Sequence, residues 1–312
     1  MRRFVQHSIL LLILPLITFA QGGGTYSFLR NEVGARAAGL NGSFVSMTND
    51  PNLVFYNPAA LPTLAKPSAS VGFLKHLLDV NSGHIAYGQH LDDIGTVAAG
   101  IMFVDYGSFT ETDESFNELG TFGATDIAFV AGIGRQFDEM TTYGVGVKFI
   151  YSSIAGTQSA AIALDLGVLY QIPSENITIG ASILNLGTQL NSYLETSESL
   201  PLDLKVGITK RPEHLPVLLN LNFHKLNESQ DTFLDRFSSF SLGAEFVMSE
   251  SVRLRLGYNN EQRKELKLGN SAGLAGFALG GGIVIGDYLV DYAFNSYGKI
   301  GGLHRVSIAT SF

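Results

Sequence analysis

Segment after segment of this chain alternates apolar residues with small or polar ones at a period of two, and few folds accept that pattern over a whole sequence. Phe240, Leu242, Ala244, Phe246 and Met248 interleave with Ser239, Ser241, Gly243, Glu245 and Val247, and Val252, Leu254, Leu256 and Tyr258 with Arg253, Arg255, Gly257 and Asn259. The same beat runs through 143–152, 202–209 and 288–295. Successive side chains of a strand point to opposite faces, so each segment has one apolar face and one small or polar face. The pattern predicts fourteen strands, near 68–76, 82–91, 96–106, 124–136, 143–153, 158–171, 177–186, 203–211, 216–225, 238–248, 251–259, 274–285, 287–296 and 303–312. Most run about 9–11 residues or slightly longer, the length a tilted strand needs to cross a bilayer. An even number suits a closed single-chain barrel, with the apolar face on lipid and the small, polar face on the lumen. The fold class expected is therefore all-β, a fourteen-stranded antiparallel transmembrane barrel.

The connections sort by parity. Those after the even strands are short, near 92–95, 137–142, 172–176, 212–215, 249–250 and 286, while several after odd strands are long, near 107–123, 187–202, 226–237 and 260–273. Short periplasmic turns alternating with longer outer loops are expected of such barrels, and a soluble sandwich has no reason to sort its loops this way. Two odd connections, near 77–81 and 154–157, are short. The final strand alternates through His304, Val306, Ile308 and Thr310 to a terminal Phe312.

Composition agrees. Charged residues make up 15% of the chain, below the roughly 25% of soluble domains, with 35 Gly and 46% apolar residues, which excludes intrinsic disorder. Without Cys there is no disulfide framework or thiolate metal site. A net charge of −8 argues against nucleic acid as a partner. Arg2 and Arg3, an apolar run from Ile9 to Phe19, and Ala20 before Gln21 predict a signal peptide over 1–20 and export to the outer membrane. Residues 21–67 alternate poorly and carry Pro51 and Pro58, and with their aromatic content they are expected to fill the lumen as a plug ahead of a 68–312 barrel.

Within that segment, Ala35-Arg36-Ala37-Ala38-Gly39 and Phe55-Tyr56-Asn57-Pro58-Ala59 resemble the N-terminal plug of FadL-type barrels, with Arg36, Asn57 and Pro58 as its candidate motif. FadL-type barrels have fourteen strands, and several members carry hydrophobic compounds. More closely, the mature chain resembles the PorQ barrels of the PorV/PorQ family in the type IX secretion system. The residues are Tyr26-Ser27-Phe28-Leu29, Asp105 to Thr110, Lys148 to Ser152, and Leu256-Gly257-Tyr258-Asn259-Asn260 running into Arg263-Lys264-Glu265-Leu266-Lys267. That resemblance implies a non-enzymatic part of a surface attachment complex, with PorZ-, PorV- and PorU-like partners and no cofactor. The alternative is a transporter of hydrophobic small molecules, which needs a lateral gap or an apolar lumen path.

Catalysis finds little footing. His84 and His90 share a face of strand 2 with no Ser or carboxylate fixed beside them, and no Gly-x-Ser-x-Gly elbow occurs. The 280–286 glycine run lies in a strand and leads to another strand, so it is no nucleotide loop; it is expected to let plug and wall approach closely. Lys148, Asp165, Lys205, Glu245, Arg253, Arg255 and Asp291 fall on the inward phase and are expected to pin the plug, while Leu242, Phe246, Leu254, Leu256, Val290 and Ile308 should face lipid. Candidate docking residues are Glu111, Asp113, Glu114 and Glu118 on one outer loop and Arg263, Lys264 and Lys267 on another.

Overall fold

The structure, a computed structural model, describes residues 25–76, 79–193, 197–229, 232–267 and 272–312. The expected signal peptide lies outside the described residues. Fourteen antiparallel strands close into one barrel in sequence order, β1 pairing with β14. They are β1 (Ser68–Lys75), β2 (Asn81–Leu91), β3 (Gly95–Thr112), β4 (Glu118–Gln136), β5 (Thr141–Ile154), β6 (Thr157–Ile172), β7 (Ile177–Asn191), β8 (Asp203–Lys210), β9 (Val217–Phe223), β10 (Phe240–Val247), β11 (Val252–Asn259), β12 (Phe277–Ile285), β13 (Tyr288–Ser296) and β14 (Gly302–Ser311). The closing seam runs from Ser68↔Ser311 to Lys75↔His304, so the alternating C-terminal segment closes the barrel wall.

The register matches the sequence pattern. Leu254 and Leu256 stand outward at 48% exposure each, with Leu242 and Ile308, while Arg255, Glu245 and Asp291 are buried inside. Outward apolar side chains circle the barrel, from Val71 and Ile85 through Phe129, Phe149 and Leu164 to Ile283 and Val306. An apolar belt this continuous on a soluble protein would drive aggregation; on a closed barrel it is the lipid-facing surface. Among the described residues no helix is long and apolar enough to cross a membrane, so the strands do the crossing.

Connections at one end are short throughout, such as Gly286-Asp287 between β12 and β13. The other end carries the long loops of 192–202, 224–239 and 260–276. Ala155 and Gly156 both take positive φ, 49° and 80°, the two-residue turn that matches strand twist in a tight hairpin.

Three connections differ from expectation; in the first, the predicted 187–202 loop, residues 187–191 belong to β7. The predicted 107–123 loop is mostly strand. β3 and β4 continue past the barrel wall as a two-stranded ribbon, pairing from Ser108↔Gly123 to Thr112↔Glu118. Its alternation is lost because both faces meet water, so no apolar side marks it as a strand. In the predicted 260–273 loop, Asn260–Glu265 forms a short helix, α2, capped by the Asn259 side chain on the Gln262 amide.

The lumen is filled by residues 25–67. A short helix, α1 (Ala35–Gly39), packs against β11–β14, and two 3-10 turns, Pro51–Phe55 and Pro58–Thr63, pack against β1–β6. Asp50 and Asn57 cap those turns by accepting from the Asn52 and Ala59 amides, each followed by proline at the first position. Tyr26, Phe28, Leu40, Phe44, Leu53 and Leu61 form the core of this plug and are almost fully buried. The wall has no room to spare: a Cβ on Gly144 would sit 2.3 Å from the Pro58 carbonyl carbon, and Gly280 lies against Gly39, with 3.1 Å from its would-be Cβ to the Gly39 Cα. Glycine on the inward phase is what lets a segment this bulky occupy the barrel.

Candidate functional site

The first candidate region is the seam between plug and wall. Arg36 donates through Nε and Nη2 to both carboxylate oxygens of Glu245, each at 2.9 Å, and reaches Asp50 at 3.3 Å. Glu245 is shared with Arg255 at 2.7 Å, and Arg255 continues to Asp291 at 2.6 Å. The result is a chain of alternating charge, Asp50–Arg36–Glu245–Arg255–Asp291, running from the plug through β10, β11 and β13. The fork of Arg36 on Glu245 fixes orientation as well as distance. Burial works to lower the Arg36 pKa, but Glu245 and Asp50 together outweigh it and hold the guanidinium protonated beyond its ordinary range. Asn57 adds a second tie, its amide donating to the Val45 carbonyl at 2.9 Å and the Val168 carbonyl of β6 at 3.3 Å. Pro58 lies against Gly144 and Gly134. Arg36, Asn57 and Pro58 therefore all sit on plug–wall contacts.

Lys148 and Asp165 form a buried pair at 2.8 Å within the wall, Lys148 also donating to Asn185 at 2.7 Å. Asp165 faces a bulge where Leu184 and Asn185 of β7 oppose one residue of β6. Lys205 pairs with Asp203. Arg253 instead lines the mouth at the short-turn end with Arg36 and Arg211. His84 is buried beside Ser70, while His90 lies at the rim near Asp92, so the two histidines do not assemble a site. Among the described residues no cluster of three His, Asp or Glu could hold a metal ion.

Above the plug a chamber of about 170 Å³ remains, lined among others by Arg30, Glu32, Asp203, Lys205, His224 and Glu261. Its roof is tied down. Arg30 of the plug pairs with Glu228 at 2.8 Å, and Glu261 accepts from His224 and Lys225 at 3.0 and 2.9 Å. Burial opposes ionisation of Glu261, but the donors from His224 and Lys225 outweigh it and bring its pKa down to about 2. By contrast, the large apolar concavity, about 970 Å³, lies on the lipid side of β2–β7 and is lined by residues such as Ile101, Phe129, Phe149, Leu164 and Leu186.

The second region is the outer ribbon. Of the four acids expected on a loop, Glu111 is in β3 and Glu118 in β4; only Asp113 and Glu114 occupy the turn. Asp113 has an internal task. Its carboxylate accepts from the amides of Ser115 and Asn117 and from the Asn117 side chain, which holds its pKa below the usual range. On the opposite loop, Arg263 folds back onto the Gly273 and Ala275 carbonyls and over the Phe277 ring, leaving Lys264 and Lys267 exposed. The sequence reading missed Phe116, which projects from the ribbon tip at 87% exposure with φ 62°. An aromatic residue held in a left-handed conformation stores strain of the order of 1 kcal/mol, a signal visible only in the backbone.

No known protein family and no characterised sequence matches the chain. Solved structures do. The toluene transporter TbuX of Ralstonia pickettii superposes with a TM-score of 0.63 at 12% identity, over 89% of this chain and 98% of its own. The Pseudomonas putida toluene transporter TodX gives 0.57 at 14%, over 89% and 96%. A Pseudomonas aeruginosa FadL homologue gives 0.56 at 10%, over 90% and 98%. The fold is that of the FadL-like outer-membrane barrels. At these identities the likeness speaks for architecture alone. It bears on no finer resemblance.

Proposed function

We propose that the protein is a plugged, non-enzymatic outer-membrane barrel that docks a surface protein through its outer face. The resemblance to PorQ barrels suggests a PorZ-like partner, with PorU- and PorV-like proteins in the same assembly. The observation that carries this reading is the state of the lumen. The plug fills it and is joined to β10 by a forked, buried ion pair, and the space left above it is small and lined with charge. The chamber offers a hydrocarbon a mixed wall of paired charges and apolar side chains rather than a continuous apolar path. The β3–β4 ribbon, by contrast, projects past the neighbouring strand and offers a docking surface.

A second reading, passage of hydrophobic small molecules, is favoured by the architecture shared with the solved toluene transporters and by the apolar concavity on the lipid side of β2–β7. One experiment separates the two. Liposomes carrying the purified barrel are assayed for toluene and oleate uptake, and native membranes are cross-linked before the tagged barrel is recovered. Docking predicts uptake equal to protein-free liposomes and a discrete surface-protein adduct. Uptake without an adduct would remove the docking reading and leave transport.

A further inference from the structure

Past the wall, the β3–β4 ribbon has open edges. β2 stops pairing with β3 at Asn81↔Asp105, so Ser108–Thr112 of β3 has a partner on the β4 side and none among the described residues on the other. A bulge at Tyr106 and Gly107 marks the departure, and beyond it Ser108 to Glu111 pair with β4 in regular register. Both faces of this stretch are exposed, so nothing among the described residues covers it. Exposed edges are ordinarily guarded by charged side chains, above all lysine, by proline, by bulges or by a covering segment, because a row of unpaired amides and carbonyls is a template for another strand; here the guards are acidic side chains and one bulge at the ribbon's base. Residues 106–123 contain no Lys, Arg or Pro. The edge itself reads Ser-Phe-Thr-Glu-Thr, rich in strand formers.

We infer that this edge of β3 binds by strand addition, accepting an extended, basic segment of a surface protein along Ser108–Thr112. The inference rests on the docking reading and gives it a mode and a partner chemistry. Charge selects the partner. Glu111, Asp113, Glu114 and Glu118 lie on the ribbon without a basic residue among them, so two copies of it repel while a lysine- or arginine-bearing strand is attracted. Main-chain hydrogen bonds supply the register, and alternate side chains supply specificity. The stacked rings of Phe109 and Phe122, 5.4 Å apart, form an apolar step on one face against which alternate apolar side chains of the incoming strand pack.

The test uses the full-length barrel in detergent and a short synthetic peptide alternating lysine with valine. Amide hydrogen exchange is followed at Ser108–Thr112 with the peptide, with the same peptide N-methylated at alternate residues, and with a glutamate–valine version. Strand addition predicts slowing by about tenfold or more with the lysine peptide alone, weakened about tenfold in affinity when Glu111, Glu114 and Glu118 are changed to Gln. Equal protection by the N-methylated peptide, or none by either, overturns it. Docking is scored separately, by recovery of the native surface partner with wild-type barrel and with the ribbon cut back to a short turn between Asp105 and Ala124. Partner loss on shortening, with no amide protection, keeps docking and removes strand addition. Partner recovery unchanged by shortening overturns the ribbon as the binding edge.

Discussion

The two halves of this barrel hold the same plug by different means. Strands β3–β7 run 14 to 19 residues, and the remaining nine run 7 to 11. The short-strand half meets α1 and ties the plug by charge, Arg36 to Glu245 and Glu32 to Arg305. The tall half meets the Pro58–Thr63 turn and shares the Pro51–Phe55 turn with β1 and β2; there Asn57 donates to the Val168 carbonyl, Thr142 donates to the Ala59 carbonyl and glycines receive Pro58 and Phe55. The tall half carries the ribbon; the short half carries the long loops. Among the described residues the charge ties between plug and barrel fall on the short-strand side, while close glycine contacts occur on both, Gly280 against Gly39 on one side and Gly144 against Pro58 on the other.

The largest expected effect falls on the charged half. Arg255→Met leaves Asp291 buried without its partner and should cost about 3–5 kcal/mol, read from urea unfolding of the purified barrel in detergent. Leu254→Arg, on the lipid face of the same strand, should cost about 2–4 kcal/mol if the site lies at mid-bilayer, measured by folding into lipid vesicles. On the tall half, Gly144→Ala forces a methyl group into Pro58 and should cost about 1–3 kcal/mol while leaving Arg36–Glu245 intact. Asn57→Ala removes a cap and two backbone ties there, for about 1–2 kcal/mol. If Gly144→Ala proved as damaging as Arg255→Met, the two halves would not differ as described.

A smaller effect is tied to pH. Glu261 has a folded pKa of about 2 against an ordinary 4.5, so its contribution is fully present above 4.5 and is lost as pH falls toward 2. The outer loop of 224–239 should therefore become protease-sensitive over that acid window before the barrel wall unfolds. Glu261→Gln should shift the onset of sensitivity to neutral pH.

Much of the architecture was legible in the sequence, because a strand with lipid on one side and a packed lumen on the other must alternate. Leu254 and Arg255 are assigned to opposite faces by parity alone. Strand length beyond the wall was not legible: from Ser108 to Phe122 both faces are wet, the constraint that creates alternation is gone, and the segment reads as a loop. Charge polarity pointed to the inward Arg255 and Asp291. Their joining through Glu245 to the plug's Arg36 depends on tertiary packing that no spacing encodes. The strain at Phe116 is likewise a backbone property without a compositional mark.

The central claim is that a plugged barrel works through its outer ribbon, and the most direct measurement places a photo-crosslinking amino acid at position 116 in intact cells. The account predicts one discrete adduct with another surface protein, lost when the ribbon is shortened and weakened at high salt. Cross-linking to lipid alone, with no protein adduct at any ionic strength, would contradict it.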